Sequence, residues 1–94
     1  MRLVYLGTPE MAVPPLEAVV GAGHEVVLVV TGADKRRGRG RATSPSPVKA
    51  AARSLGLPVT DRTDDVLGVR ADLGVVVAFG RIIRPHVLQH LPMV

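Results

Sequence analysis

Three long apolar runs constrain the fold of this chain more than any other feature. The runs "LVYL", "VVLVV" and "VVVAF" contain almost no polar residue, so no alternation marks a solvated strand face. Runs of this kind are typical of parallel strands that are covered on both faces of a sheet. They predict buried strands at residues 2–7, 25–32 and 73–80.

Helix signals fill the segments between these strands. Pro14 and Pro15 are tolerated only in a first turn, and helical spacing of apolar residues follows them. A second helix is predicted to start with Ser46 as its N-cap and Pro47 at its first position, and to end at Gly56. The other expected elements are a short strand, a polar connection, a short helix and a new apolar run, at residues 57–60, 61–72, 84–91 and 92–94.

The alternation of strands and helices with short connections predicts a right-handed parallel sheet. About four strands are present, where doubly wound sheets usually contain about five or more. We therefore expect an α/β fold, a Rossmann-like parallel sheet with flanking helices that is incomplete. In this interpretation residues 1–94 are the N-terminal portion of a larger domain, with a basic loop at residues 32–45.

The positive charge of the chain is concentrated in this basic loop. The 12 Lys and Arg residues outnumber the 8 Asp and Glu residues, which gives a net charge of +4. Five cations lie within residues 35–41, so the rest of the chain carries a net charge of −1. A concentrated patch favours a partner with closely spaced negative charges, such as a nucleic-acid backbone. A solvated, mobile loop and a nuclear-localisation signal are the alternatives.

Composition excludes several classes of function. The chain has no cysteine, which excludes a disulfide framework and a thiolate site. Its histidines, His24, His86 and His90, lack a carboxylate at metal-site spacing, and we expect them to be structural or surface residues. The only aromatic residues are Tyr5 and Phe79, too few for a base-stacking platform. No signal peptide or apolar stretch of about 18 residues is visible, so a cytoplasmic protein without membrane contact is expected.

Two turns are predicted to share a ligand crevice. In open α/β sheets the crevice lies at the carboxyl ends of the strands, where strand order reverses. If the first and last long strands are neighbours, the turns that follow them meet there. The "GTPE" turn is neither a dinucleotide fingerprint nor a phosphate-binding loop, and a tight turn without a ligand is the alternative. The candidate crevice residues are Gly7, Thr8, Pro9, Phe79, Gly80, Arg81 and Ile82.

Four motifs in a fixed order give the chain a family resemblance. The "GTPE" turn, the "TGADKRRGRG" loop, the "SPVK" helix start and the "VVVAFG" strand resemble those of methionyl-tRNA formyltransferases. The resemblance implies transfer of a formyl group from 10-formyltetrahydrofolate to the amino group of methionyl initiator tRNA, in translation initiation. It also implies that the crevice takes the folate. The residues that it assigns to tRNA binding are Lys35, Arg36, Arg37, Gly38, Arg39, Gly40 and Arg41.

Within the loop, Arg39 stands at the family's loop arginine, and Arg36 stands where proline is common. The family's catalytic Asn and His, in a motif N-[LV]-H-x-S-L-L-P, and its later Asp are not among these residues. The resemblance therefore implies a fragment that lacks the C-terminal part of the enzyme and is inactive by itself. A non-catalytic α/β module that binds RNA or a nucleotide through the basic loop is the alternative.

Overall fold

A computed structural model describes residues 1–33, 35–36, 43–80 and 83–94. Two short 3-10 helices, Glu10–Ala12 and Thr63–Gly68, accompany the regular elements. In chain order, the strands and α-helices are β1 (Arg2–Gly7), α1 (Val13–Gly21), β2 (Glu25–Val30), β3 (Lys35–Arg36), β4 (Thr43–Ser44), α2 (Pro47–Ser54), β5 (Val59–Thr60), β6 (Leu73–Val77) and α3 (Pro85–His90).

The main sheet has the strand order β5-β2-β1-β6, and every pair in it is parallel. Tyr5 of β1 pairs with Val29 on one side and with Val75 on the other, so β1 is central. The chain runs from β1 through β2 to β5 in one direction and then returns to place β6 on the opposite side of β1. This reversal confirms the predicted Rossmann-like topology, and it puts the switch point between β1 and β6.

Both faces of the sheet are covered, as the unbroken apolar runs predict. On one face, α1 and α2 cover the Tyr5 side of the sheet, with Leu16, Val48 and Ala52 fully buried. The opposite face packs against the Thr63–Gly68 helix and α3. Its core consists of Val4, Leu6, Leu28, Val30, Val66, Phe79, Val87 and Leu91.

The apolar run at residues 92–94 lies beside β6. Val94 N–H donates to the Gly74 carbonyl at 2.9 Å, and Gly74 N–H donates to the Pro92 carbonyl at 2.7 Å. Gly74 and Met93 form a parallel bridge. This run therefore continues the parallel pairing beyond β6.

The structure shortens three predicted strands and adds one pair of short strands. The strands expected at 25–32 and 73–80 end at Val30 and Val77, and β6 stops just before Ala78, whose φ is 49°. The strand expected at 57–60 consists of Val59–Thr60. Within the basic loop, β3 and β4 form a two-residue antiparallel pair that the sequence did not predict.

Candidate functional site

Gly7 lets the end of β1 lie very close to β6 and to the start of the next helix. A Cβ atom at this position would be 2.8 Å from the Val77 carbonyl oxygen and 2.9 Å from the Ala12 Cβ. Real Cβ atoms do not approach other atoms so closely. The turn that follows β1 can therefore sit directly beside the end of β6 because residue 7 is a glycine.

The next side chain, Thr8, joins three chain segments at this edge of the sheet. Thr8 Oγ1 accepts a hydrogen bond from Gly32 N–H at 3.1 Å, just beyond β2. The same hydroxyl donates to the Phe79 carbonyl at 3.2 Å, just beyond β6. One hydroxyl thus connects the ends of β1, β2 and β6, and the two turns predicted to share a crevice are adjacent.

A crevice of about 480 Å³ opens at this point. Its volume is in the range of pockets that hold small organic ligands. Of the candidate crevice residues, four line it and Gly7 is buried beneath them, whereas Arg81 and Ile82 lie outside the described residues. The lining residues are Thr8, Pro9, Gly32, Ala33, Ala78, Phe79 and Gly80.

The backbone on the β6 side of the crevice has an uncommon conformation. Ala78 has a φ of 49° and Gly80 a φ of 76°, and Phe79 between them is buried. A left-handed alanine costs roughly 1–2 kcal/mol, so packing and hydrogen bonds must hold it. Such strain clusters at ligand sites. Sequence reasoning missed Ala78 because alanine carries no signal for this conformation.

Two further depressions adjoin the crevice. One, of about 320 Å³, leads from Thr8 towards the basic loop and the start of α2. The other, of about 380 Å³, lies between the ends of β2 and β5. Ala33 lines all three hollows and Thr8 lines two, so the segment that leads into the basic loop forms a shared wall.

A buried pair of hydroxyls holds the two ends of the basic loop together. Thr31 Oγ1 and Ser46 Oγ are 2.6 Å apart. Ser46 Oγ also accepts from Lys49 N–H at 3.0 Å, which confirms the predicted N-cap of α2. The link from Ser46 to Thr31 was missed, because nothing in the local sequence relates the two residues.

The predicted tRNA-binding residues are only partly described. Lys35 and Arg36 form β3, and they pair with Ser44 and Thr43 of β4. The remaining candidates lie outside the described residues, namely Arg37, Gly38, Arg39, Gly40 and Arg41.

The histidines take no part in the crevice. His86 Nε2 lies 2.8 Å from Asp64 Oδ1, and this exposed pair joins α3 to the Thr63–Gly68 helix. His24 and His90 are exposed. Within the described ranges, no group of three or more His, Cys, Asp or Glu residues could hold a metal ion. Nor is any helix of the described part long and apolar enough to cross a membrane.

Tyr5 is a buried polar side chain with a structural partner. Its hydroxyl donates to the Ala12 carbonyl at 2.6 Å, and burial raises the pKa of the phenol above its usual value. The bond ties β1 to the short Glu10–Ala12 helix.

Comparison with known proteins identifies a family. A family model described as formyl transferase matches residues 1–94. A methionyl-tRNA formyltransferase from Heliobacterium modesticaldum is 56% identical over an alignment of 102 residues. That alignment covers 98% of this chain and 31% of the relative. One from Synechococcus sp. strain RCC307 is 47% identical over 104 residues, which cover 99% of this chain and 32% of the relative. The chain thus spans about a third of the length of these relatives.

A solved structure supports the fold independently. The crystal structure of phosphoribosylglycinamide formyltransferase from Bacillus halodurans aligns with a TM-score of 0.64 at 15% identity. The alignment covers 96% of this chain and 51% of the other. The family match extends over every residue, and the fold is a parallel sheet with a crevice at its switch point. The chain therefore belongs to the formyl transferase family.

Proposed function

We propose that the chain supplies the substrate-binding floor of a methionyl-tRNA formyltransferase that acts in translation initiation. The formyl donor is 10-formyltetrahydrofolate and the acceptor is the amino group of methionyl initiator tRNA. The observation that carries this proposal is the double contact of Thr8, which places the crevice and the start of the basic loop at one edge of the sheet.

The formyl donor occupies the crevice between the turns that follow β1 and β6. A volume of about 480 Å³ suits a flat heterocycle, and Pro9, Ala33 and Ala78 supply apolar walls. The crevice lies at the switch point of the sheet, where ligands of open α/β folds bind. This assignment covers Gly7–Pro9 and extends to Phe79–Ile82 by resemblance.

The basic loop binds phosphates of the tRNA acceptor end. Its five cations can neutralise several phosphates, and an arginine fork such as that of Arg39 can hold one phosphate with two hydrogen bonds. The Thr31–Ser46 pair fixes where the loop leaves and rejoins the domain. The two ends of the loop thereby lie near the crevice, as delivery of an RNA end to a small donor requires.

Residues 1–94 supply binding groups for the reaction but not its catalytic groups. The amino nitrogen attacks the formyl carbon and forms a tetrahedral intermediate, whose C–N bond to the folate then breaks while a proton moves from the incoming to the leaving nitrogen. Such a step needs a donor for the oxyanion and a group that moves the proton. The sequence contains no Asn to match the family's motif. The part of residues 1–94 is therefore to bind and orient, and by themselves they do not catalyse transfer.

A chimera tests the proposal. Residues 1–94 replace the matching segment of the Heliobacterium modesticaldum enzyme, which is 56% identical to them. Formylation of methionyl-tRNA by 10-formyltetrahydrofolate is then compared with that of the parent. We expect kcat/KM within about tenfold of the parent value, because binding and positioning are retained. The 94-residue chain alone should give no turnover.

Two results would contradict the proposal. A chimera that is folded by circular dichroism and thermal melting but transfers no formyl group would show that the segment cannot serve this reaction. If such a chimera also bound tRNA without preference for a charged methionyl end, the non-catalytic RNA-binding module would be the better account.

A further inference from the structure

We infer that Thr8 is a positioning residue that couples the donor crevice to the start of the basic loop. The inference rests on the proposed function. Thr8 is the side chain whose hydroxyl contacts both the segment after β2 and the segment after β6.

The hydroxyl acts where the backbone pairing of the sheet has ended. The strands β2 and β6 end at Val30 and Val77, and the hydrogen bonds of Thr8 reach Gly32 and Phe79, two residues beyond each end. A hydroxyl can donate and accept at the same time, and here it does both. The side chain thus continues the connection between β1 and its two neighbours past the last strand residues.

Packing makes the contact with Gly32 specific. A Cβ atom at Gly32 would lie 3.1 Å from Thr8 Cγ2, so the methyl group already fills the space beside this glycine. The next residue, Ala33, lines all three hollows at this edge. A shift of Thr8 would therefore move the wall that the crevice shares with the loop.

On the other side, Thr8 holds the carbonyl that lies between two residues of positive φ, Ala78 and Gly80. Strained turns relax when the interactions that hold them are removed. Removal of the hydroxyl should therefore release the crevice turn and the start of the loop together, and weaken the binding of donor and tRNA.

The test compares Thr8→Val, which keeps the shape and removes the hydroxyl, with Thr8→Ser, which keeps the hydroxyl. Thr63→Val, in the Thr63–Gly68 helix and outside the residues that line the three hollows, is the matched control. Each change is made in the active chimera, and KM for the donor, KM for methionyl-tRNA, kcat and hydrogen exchange of residues 31–33 and 78–80 are measured.

We expect Thr8→Val to raise both KM values by about three- to tenfold, because the valine side chain can form neither hydrogen bond. Exchange should accelerate in both segments, and Thr8→Ser should change KM and exchange less than Thr8→Val because serine keeps both hydrogen bonds. Thr63→Val should stay within about twofold of the parent chimera. A general loss of stability would lower the melting temperature and the active fraction without raising both KM values. If Thr8→Val raised only one KM, neither, or kcat alone, or if exchange changed in one segment only, the coupling would be refuted.

The outcome is separable from that of the proposed function. If the chimera with Thr8 intact transfers no formyl group, the proposed function fails, and hydrogen exchange in the two segments still tests the structural link. If the chimera is active and Thr8→Val behaves like Thr8→Ser, the proposed function stands and the coupling is wrong.

Discussion

Thr31 Oγ1 and Ser46 Oγ lie 2.6 Å apart in the buried part of the domain, although they are 15 positions apart in sequence. The bond closes the basic loop at its base, and Ser46 at the same time caps α2. The two hydroxyls therefore hold together the residues that precede and follow the loop.

Replacement of Ser46 by Ala should lower the free energy of unfolding by about 1–2 kcal/mol. The change removes the cap of α2 and the bond to Thr31 together, and caps alone are worth about 1 kcal/mol. Urea denaturation of the wild type, S46A and S54A measures the effect. Ser54 is exposed in the last turn of α2, so S54A should change little. Equal midpoints for S46A and the wild type would refute the role of the pair.

Replacement of Gly7 by Ala should cost about 2–4 kcal/mol or prevent folding, because the new methyl group would collide with the Val77 carbonyl at 2.8 Å. Gly21→Ala is the control, since α1 ends at Gly21 and a Cβ there meets nothing within 4 Å. That change should stabilise by up to about 1 kcal/mol. Thermal melting of both variants and the wild type measures these effects. A G7A protein as stable as the wild type would show that Gly7 is not in close contact with Val77 of β6.

The stability should fall at alkaline pH through Tyr5. Burial raises the pKa of its phenol above the unfolded value near 10, so the folded chain retains a proton that the unfolded chain loses. The contribution is present in full below about pH 10 and disappears as pH rises towards the folded pKa. Tyr5 is the only tyrosine, so the phenolate absorbance reports this group alone.

Unfolding curves at about pH 9–12 for the wild type and Tyr5→Phe check this expectation. Tyr5→Phe removes the hydrogen bond to Ala12, so the variant should be less stable at neutral pH. Its free energy of unfolding should fall less at alkaline pH, because it has no phenol to ionise. A phenolate titration of the folded chain at or below about pH 10, or equal declines for the two proteins, would contradict it.

Much of the fold and part of the site follow from sequence because their causes are local. The apolar runs predicted three long strands, and the Ser-Pro step predicted Ser46 as the N-cap of α2. The neighbouring turns after β1 and β6 were predicted from strand order, which a parallel switch point imposes.

The missed features depend on residues that are distant in sequence. The hydrogen bonds of Thr8 span 24 and 71 positions, and only the register of three strands brings these atoms together. The left-handed Ala78 is imposed by its surroundings against its own preference. The β3–β4 pair has two residues per strand, too few to produce an alternating pattern.

In the chimera, Arg39→Ala should raise KM for methionyl-tRNA by about tenfold, as expected for one charge-assisted bidentate interaction. The donor KM should remain within about twofold, because the proposed partner of Arg39 is a tRNA phosphate and not the donor. Arg53→Ala, an equal charge change on the exposed end of α2, is the control. Equal effects of the two changes on the tRNA KM would remove any special role of Arg39.

We propose that the basic loop holds the tRNA through its phosphates, and a salt titration of tRNA affinity measures such contacts. The chimera is compared with a triple alanine variant of Arg36, Arg37 and Arg39. A second triple alanine variant, at the exposed residues Arg53, Arg62 and Arg70, is the control.

For every phosphate that the protein no longer neutralises, the slope of log K against log salt should decrease in magnitude by about 0.7–0.9. We predict a reduced slope and weaker binding for the loop variant, with the control close to the parent chimera. Identical slopes and affinities for the loop variant and the parent chimera would show that these arginines do not contact tRNA phosphates.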